Sequence, residues 1–115
     1  MTVSLPYETG FFDAVISVQV IHHGKISTIR EVVREIERVL KKGGYVFITV
    51  PKLQNQGDKF KQIEPNTFVP LDGPEKGLPH HYFTPAELQE LFENFEVKDI
   101  HLDDTHHYCL TGVRL

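Results

Sequence analysis

The stretch FDAVISVQVIHH (residues 12–23), followed by an amphipathic segment and then RVLKKGGYVFITVP (residues 38–51), decides the fold. Residues 14–21 are almost continuously apolar and rich in β-branched types, which predicts a strand covered on both faces, as in a central parallel strand. Thr28 and Glu31 have the spacing of a capping box. Ile29, Val32, Val33, Ile36, Val39 and Leu40 then recur at intervals of three and four, the buried stripe of a helix. Lys41 and Lys42 suit the negative end of that helix, and Gly43-Gly44 supplies a left-handed exit. Residues 45–50 (YVFITV) form a second apolar strand, ended by Pro51. Strand, helix, strand is the unit of a doubly wound α/β sheet.

Outward from that unit, residues 52–79 are polar and broken by Gly57, Pro65, Pro70, Gly73, Pro74, Gly77 and Pro79, which predicts one long functional or mobile loop. Thr84-Pro85-Ala86-Glu87 predicts a second capping box with proline at the first helical position. The helix it opens buries Leu88, Leu91 and Phe92 and stops near Asn94. Phe95 and Val97, then Ile100 and Leu102 after a slip in phase, read as a strand. Residues 107–114 return after the turn Asp103-Asp104-Thr105, giving an antiparallel hairpin. The expected order is strand, helix, strand, loop, helix, strand, strand, in one domain spanning residues 1–115.

Bulk composition sets the outer limits. The chain has 115 residues, 40% hydrophobic and 24% charged, with formal net charge −4, which fits a folded domain and excludes a disordered one. Lys and Arg are scattered, so there is no basic stripe of the kind a dedicated nucleic-acid binder carries. A single cysteine, Cys109, excludes an internal disulfide and fits a reducing, cytoplasmic compartment. No apolar run approaches about 18 residues, the length a membrane-spanning helix requires.

Three stretches carry a family resemblance. Leu5-Pro6-Tyr7 with Phe12-Asp13, residues 37–44 (ERVLKKGG) and residues 81–88 (HYFTPAEL) together resemble the class I, Rossmann-like, S-adenosylmethionine-dependent methyltransferases. Lys42 stands where that family usually has proline. The resemblance implies the C-terminal half of the methyltransferase sheet, closed by an antiparallel hairpin. It implies S-adenosylmethionine as cofactor and methyl transfer to a small molecule or a modified nucleotide. By the same resemblance, Thr2 and Val3 would lie near the cofactor's adenine, and Val18 and Gln19 near its methionine portion. Core packing is the competing role for Val18.

The family's glycine-rich cofactor turn does not occur in these residues, and Gly43-Gly44 precedes a strand rather than opening a helix. The expectation is therefore a truncated domain starting at a methionine internal to longer relatives, with little activity alone. Its alternative role is a non-enzymatic, self-associating or regulatory module. Residues 14–21 would become an uncovered sheet edge, an association hazard that predicts a homo-oligomer.

In an open α/β sheet, ligands sit beyond the carboxyl ends of the strands. That rule places His22, His23, His80, His81, His106 and His107 on one rim. Three roles compete for them: hydrogen-bonded rim residues without chemistry, substrate orientation or proton handling, and metal ligation. Imidazole titrates near neutrality, so His23 and His81 are the candidate proton-handling, catalytic residues. His22, His80, Tyr82 and His107 are candidates for substrate binding. Metal ligation is set aside because neighbouring residues on a strand point to opposite faces, and because no Cys or carboxylate completes a standard ligand spacing.

Overall fold

A computed structural model describes residues 4–53 and 59–115. Thr2 and Val3, and part of the 52–79 segment, lie outside the described residues. The elements are β1 (Phe12–Val18), α1 (Ile26–Val39), β2 (Leu40–Pro51), β3 (Phe60–Glu64), β4 (Thr67–Pro70), β5 (His80–His81), α2 (Pro85–Leu91), β6 (Phe95–Leu102) and β7 (His107–Arg114). The main sheet has the order β1-β2-β7-β6. β1 runs parallel to β2, while β7 is antiparallel to both β2 and β6. The expected closing hairpin is present. Its phase slip is a register shift between Val97 and Asp99, so the broken alternation was a bulge.

Both helices pack on one face of this sheet. Ile29, Val33, Ile36, Val46, Ile48, Val50, Leu88, Phe92 and Leu110 form one buried cluster there. The opposite face is open: Ile16 is 72% exposed and its neighbours Val18 and Tyr45 are 55% and 61% exposed. Cover on both faces, expected for residues 14–21, is therefore absent among the described residues. β1 also stops earlier than expected, at Val18. Gln19 has φ 58, a left-handed conformation that ends the strand, and its N–H donates to Thr49 Oγ1 at 3.1 Å.

Two further boundaries differ from the sequence expectation. The capping box at Thr28 does not open α1, which begins two residues earlier behind Lys25. The first-turn N–H of Ile26 donates instead to Glu64 Oε1 on β3, at 3.0 Å. A distant carboxylate thus satisfies a helix-end donor and suits its positive pole. The second difference is the long loop. Residues 60–70 form the antiparallel hairpin β3–β4, and β5 adds to it as a second, three-stranded sheet. Asn66, at φ 59, makes the tight turn.

The expected left-handed helix exit does not form: α1 ends at Val39 with an extended Leu40, and Gly43 takes its φ of +78 inside β2, where glycine is favoured. Gly44 is required for another reason. A Cβ there would lie 2.8 Å from both Leu40 Cδ1 and Lys41 O, and 2.9 Å from Asp13 O. The chain can swing from helix into β2 beside β1 only because this residue has no side chain.

Candidate functional site

β1 and β2 end on the same side of the sheet, and the three-stranded sheet folds over that end. Backbone bonds stitch the two together: His81 N–H donates to His22 O at 2.8 Å, and Phe83 N–H to Pro51 O at 3.0 Å. Between them lies an open cleft of about 380 Å³. Gln19, His22 and His23 form one wall, and Phe60, Pro70, Glu75, His80 and Tyr82 form the other.

Three imidazoles meet on its floor. The His22 and His23 ring centroids are 4.0 Å apart, His23 and His80 are 4.8 Å apart, and His22 and His80 are 5.5 Å apart. His22 and His80 are buried, and His23 is exposed. Burial, and then the fields of His23, His80 and His107, pushes His22 down to about 3, so its ring is neutral at physiological pH. Its buried Nδ1 has no hydrogen-bond partner among the described residues. His80 is held from both sides: Nδ1 donates to Leu78 O at 2.8 Å, and Nε2 lies 2.5 Å from Glu75 Oε2. Burial, reinforced by Glu75, pushes the Tyr82 phenol up.

His81 is turned away from the cleft. It is 1% exposed, with Nδ1 2.7 Å from Thr67 Oγ1 and Nε2 2.5 Å from Glu87 Oε1. These contacts make it a positioning residue that holds β5 against the start of α2. His107 lies in the Asp103 turn, where Asp103 Oδ1 accepts from both the Thr105 and His107 N–H groups. Those hydrogen bonds hold the Asp103 carboxyl below its usual range.

The comparisons with known proteins fall on this same frame. Residues 1–48 match the family model described as a methyltransferase domain. Over 49 residues, 42% of this chain, the sequence is 47% identical to an Arabidopsis thaliana tRNA (carboxymethyluridine(34)-5-O)-methyltransferase. The fold matches a SAM-dependent methyltransferase of Methanosarcina mazei at TM-score 0.80 and 20% identity, over 97% of this chain and 63% of that one. It matches a Burkholderia thailandensis 1,6-didemethyltoxoflavin-N1-methyltransferase at TM-score 0.72 and 17% identity, over 92% of this chain and 45% of that one. That structure contains 1,6-didemethyltoxoflavin and S-adenosylhomocysteine. Residues 1–48 thus match a methyltransferase domain, and the chain shares the fold of SAM-dependent methyltransferases. It spans 12% of the Arabidopsis relative's length and 63% of the Methanosarcina protein's.

Within this frame, five of the singled-out residues line one cleft: Gln19, His22, His23, His80 and Tyr82. Val18 does not join them. It is 55% exposed on the open face of the sheet, so neither core packing nor a place in the cleft describes it. Phe60, Pro70 and Glu75 line the cleft but were missed, because their segment reads as loop. The alternation in FKQIE and TFVP around Pro65-Asn66 was the available signal for a hairpin. The opposite-face arrangement expected of His22 and His23 does not occur. His22 and His23 sit in a turn rather than on a strand, and both rings reach the same cleft.

Proposed function

We propose that this chain forms the acceptor side of an S-adenosylmethionine-dependent methyl-transfer site, with the histidine-lined cleft holding the methyl acceptor. The carrying observation is the cleft's position, beyond the carboxyl ends of β1 and β2, where open α/β sheets take their ligands. The cofactor carries the reactive methyl, so the protein's part is to orient the acceptor and exclude water. His23, exposed at the cleft, is the group that accepts the acceptor's proton. Gln19 borders the methionine end of the cofactor. A modified nucleotide is favoured over other small molecules, because the Arabidopsis relative is named for a modified uridine of tRNA. Net charge −4 leaves grip on a polynucleotide to other parts of the protein.

The donor's carboxylate and ribose need a glycine-rich turn that these 115 residues do not contain. Catalysis therefore requires a donor-binding half to complete the site. Calorimetry with S-adenosylhomocysteine tests the chain alone. A dissociation constant below about 100 μM, roughly 5.5 kcal/mol, would show that it holds cofactor unaided. Methyl transfer seen when a donor-binding domain is supplied, and lost again in His23→Ala, would support the acceptor-side assignment. Transfer unaffected by His23→Ala would remove the proton-handling role.

A second reading, a self-associating module, is favoured by the exposed apolar edge of β1, where Ile16 and Val18 face solvent. On that reading a second copy of the chain covers the open face.

A further inference from the structure

The geometry points to a divalent-metal site formed by His22, His23 and His80. It goes beyond methyl transfer, and with the cation bound His23 is a ligand and no longer free to take a proton from the methyl acceptor. The three imidazoles each offer one nitrogen, and these atoms all lie within 4.8 Å of one another. Tetrahedral zinc with bonds of about 2.1 Å holds its ligands about 3.4 Å apart.

Several features single this cluster out among the chain's histidines. His80 is already oriented as a ligand: its Nδ1 donates to Leu78 O at 2.8 Å, which leaves Nε2 facing the cleft. A backbone carbonyl on the far ring nitrogen is the usual outer support of a metal-bound histidine. That Nε2 lies 2.5 Å from Glu75 Oε2, so the cluster has a carboxylate beside it. His22 is 7% exposed, and its Nδ1 is a buried polar atom with no partner among the described residues. A buried imidazole nitrogen without a hydrogen bond is costly, and a metal bond removes that cost. His81, by contrast, has both nitrogens engaged by Thr67 and Glu87 and takes no part.

Three imidazole nitrogens suit a borderline first-row cation, with zinc the leading candidate and cobalt(II) its spectroscopic substitute. Three protein donors leave the fourth position of a tetrahedral shell open toward the cleft. Bound there, the cation would tie His80 to the turn that follows β1 and set the width of the cleft.

The test uses the metal-free full chain with Zn²⁺ or Co²⁺ alone. One equivalent is expected to bind at about micromolar affinity or tighter, to raise the melting temperature, and to give cobalt the visible spectrum of tetrahedral coordination. His22→Ala and His80→Ala should each weaken binding at least about tenfold, while His101→Ala leaves it unchanged. Should the alanine variants unfold, histidine proton resonances of the unmodified chain give the answer. One equivalent of Zn²⁺ should shift His22, His23 and His80 and leave His101 and His106 in place. Absence of saturable binding, binding that survives loss of both His22 and His80, or shifts confined to other histidines would overturn the site.

Discussion

His81 Nε2 lies 2.5 Å from Glu87 Oε1, joining a 1%-exposed histidine on β5 to the first turn of α2. Glu87 has the sequence position of a capping-box glutamate, and half of that box forms. Thr84 Oγ1 accepts from Glu87 N–H at 3.3 Å, and Pro85 occupies the first turn. The glutamate side chain is spent on His81, whose other nitrogen meets Thr67. The motif therefore fixes a junction between two sheets as well as a helix end.

Glu87→Gln should expose the worth of that junction. It keeps the shape but replaces a charged acceptor with a neutral amide beside a buried imidazole. We expect a loss of about 1–3 kcal/mol, read from urea midpoints at unchanged m-value. Thr84→Ala, which removes only the cap, should cost about 1 kcal/mol. Because His81 and Glu87 touch each other, His81→Gln combined with Glu87→Gln should cost less than the sum of the two single changes.

His22 predicts an acid sensitivity of the metal-free chain. Its folded value is about 3 against an ordinary 6.5, so between those values the unfolded chain binds a proton that the folded chain refuses. Stability is complete above about pH 6.5 and falls as pH drops toward 3, by at most about 1.4 kcal/mol per pH unit from this one group. His23 on the same turn, His80 and Glu75 across the cleft and His107 on β7 surround it. Urea unfolding from about pH 7 to 5 should therefore show a steep loss. His22→Leu should flatten that slope, and an unchanged slope would mean the sensitivity arises elsewhere.

Gly44→Ala tests the helix-to-strand turn. The added methyl would meet backbone oxygens of Lys41 and Asp13 at 2.8 and 2.9 Å, and neither can move without shifting β1 or the turn. The expected cost is about 1–3 kcal/mol of stability. Gly43→Ala should also destabilise, but through its φ of +78 rather than by collision, since a Cβ there meets nothing within 4 Å.

The stretches that revealed the fold in sequence each do identifiable structural work. Arg38, in the helix-to-strand motif, donates to Leu5 O at 3.0 Å and to Tyr7 O at 2.9 Å, pinning the Leu5-Pro6-Tyr7 segment to α1. Glu35 accepts from Leu5 N–H at 2.9 Å, and Arg38 holds its carboxyl below the usual range. Two of the resembling motifs are thus one contact. The β3–β4 hairpin was not legible because proline and glycine punctuation outweighed two short alternating runs. The entry to α1 was not legible because its cap, Glu64, is 38 residues away. The histidine floor was half legible: strand-end logic found its members, but only the turn at Gln19 brings the neighbouring rings His22 and His23 into one cleft.

The open face of β1 supports a last prediction. β1 pairs only with β2 among the described residues, so its outer edge carries unpaired backbone groups beside exposed Ile16 and Val18. Edges of that kind pair with other chains unless charge or a bulge blocks them, and lysine is the usual blocking residue. The chain should therefore sediment as a dimer or larger species at micromolar concentration, with slow amide exchange across residues 12–18. Ile16→Lys with Val18→Lys should shift it to monomer. Because both side chains are already in solvent, each change should alter intrinsic stability by only about 0.5 kcal/mol. The shift in mass then reports the edge itself rather than unfolding. A monomeric unmodified chain, with amides at 12–18 already protected, would show that this edge does not mediate association.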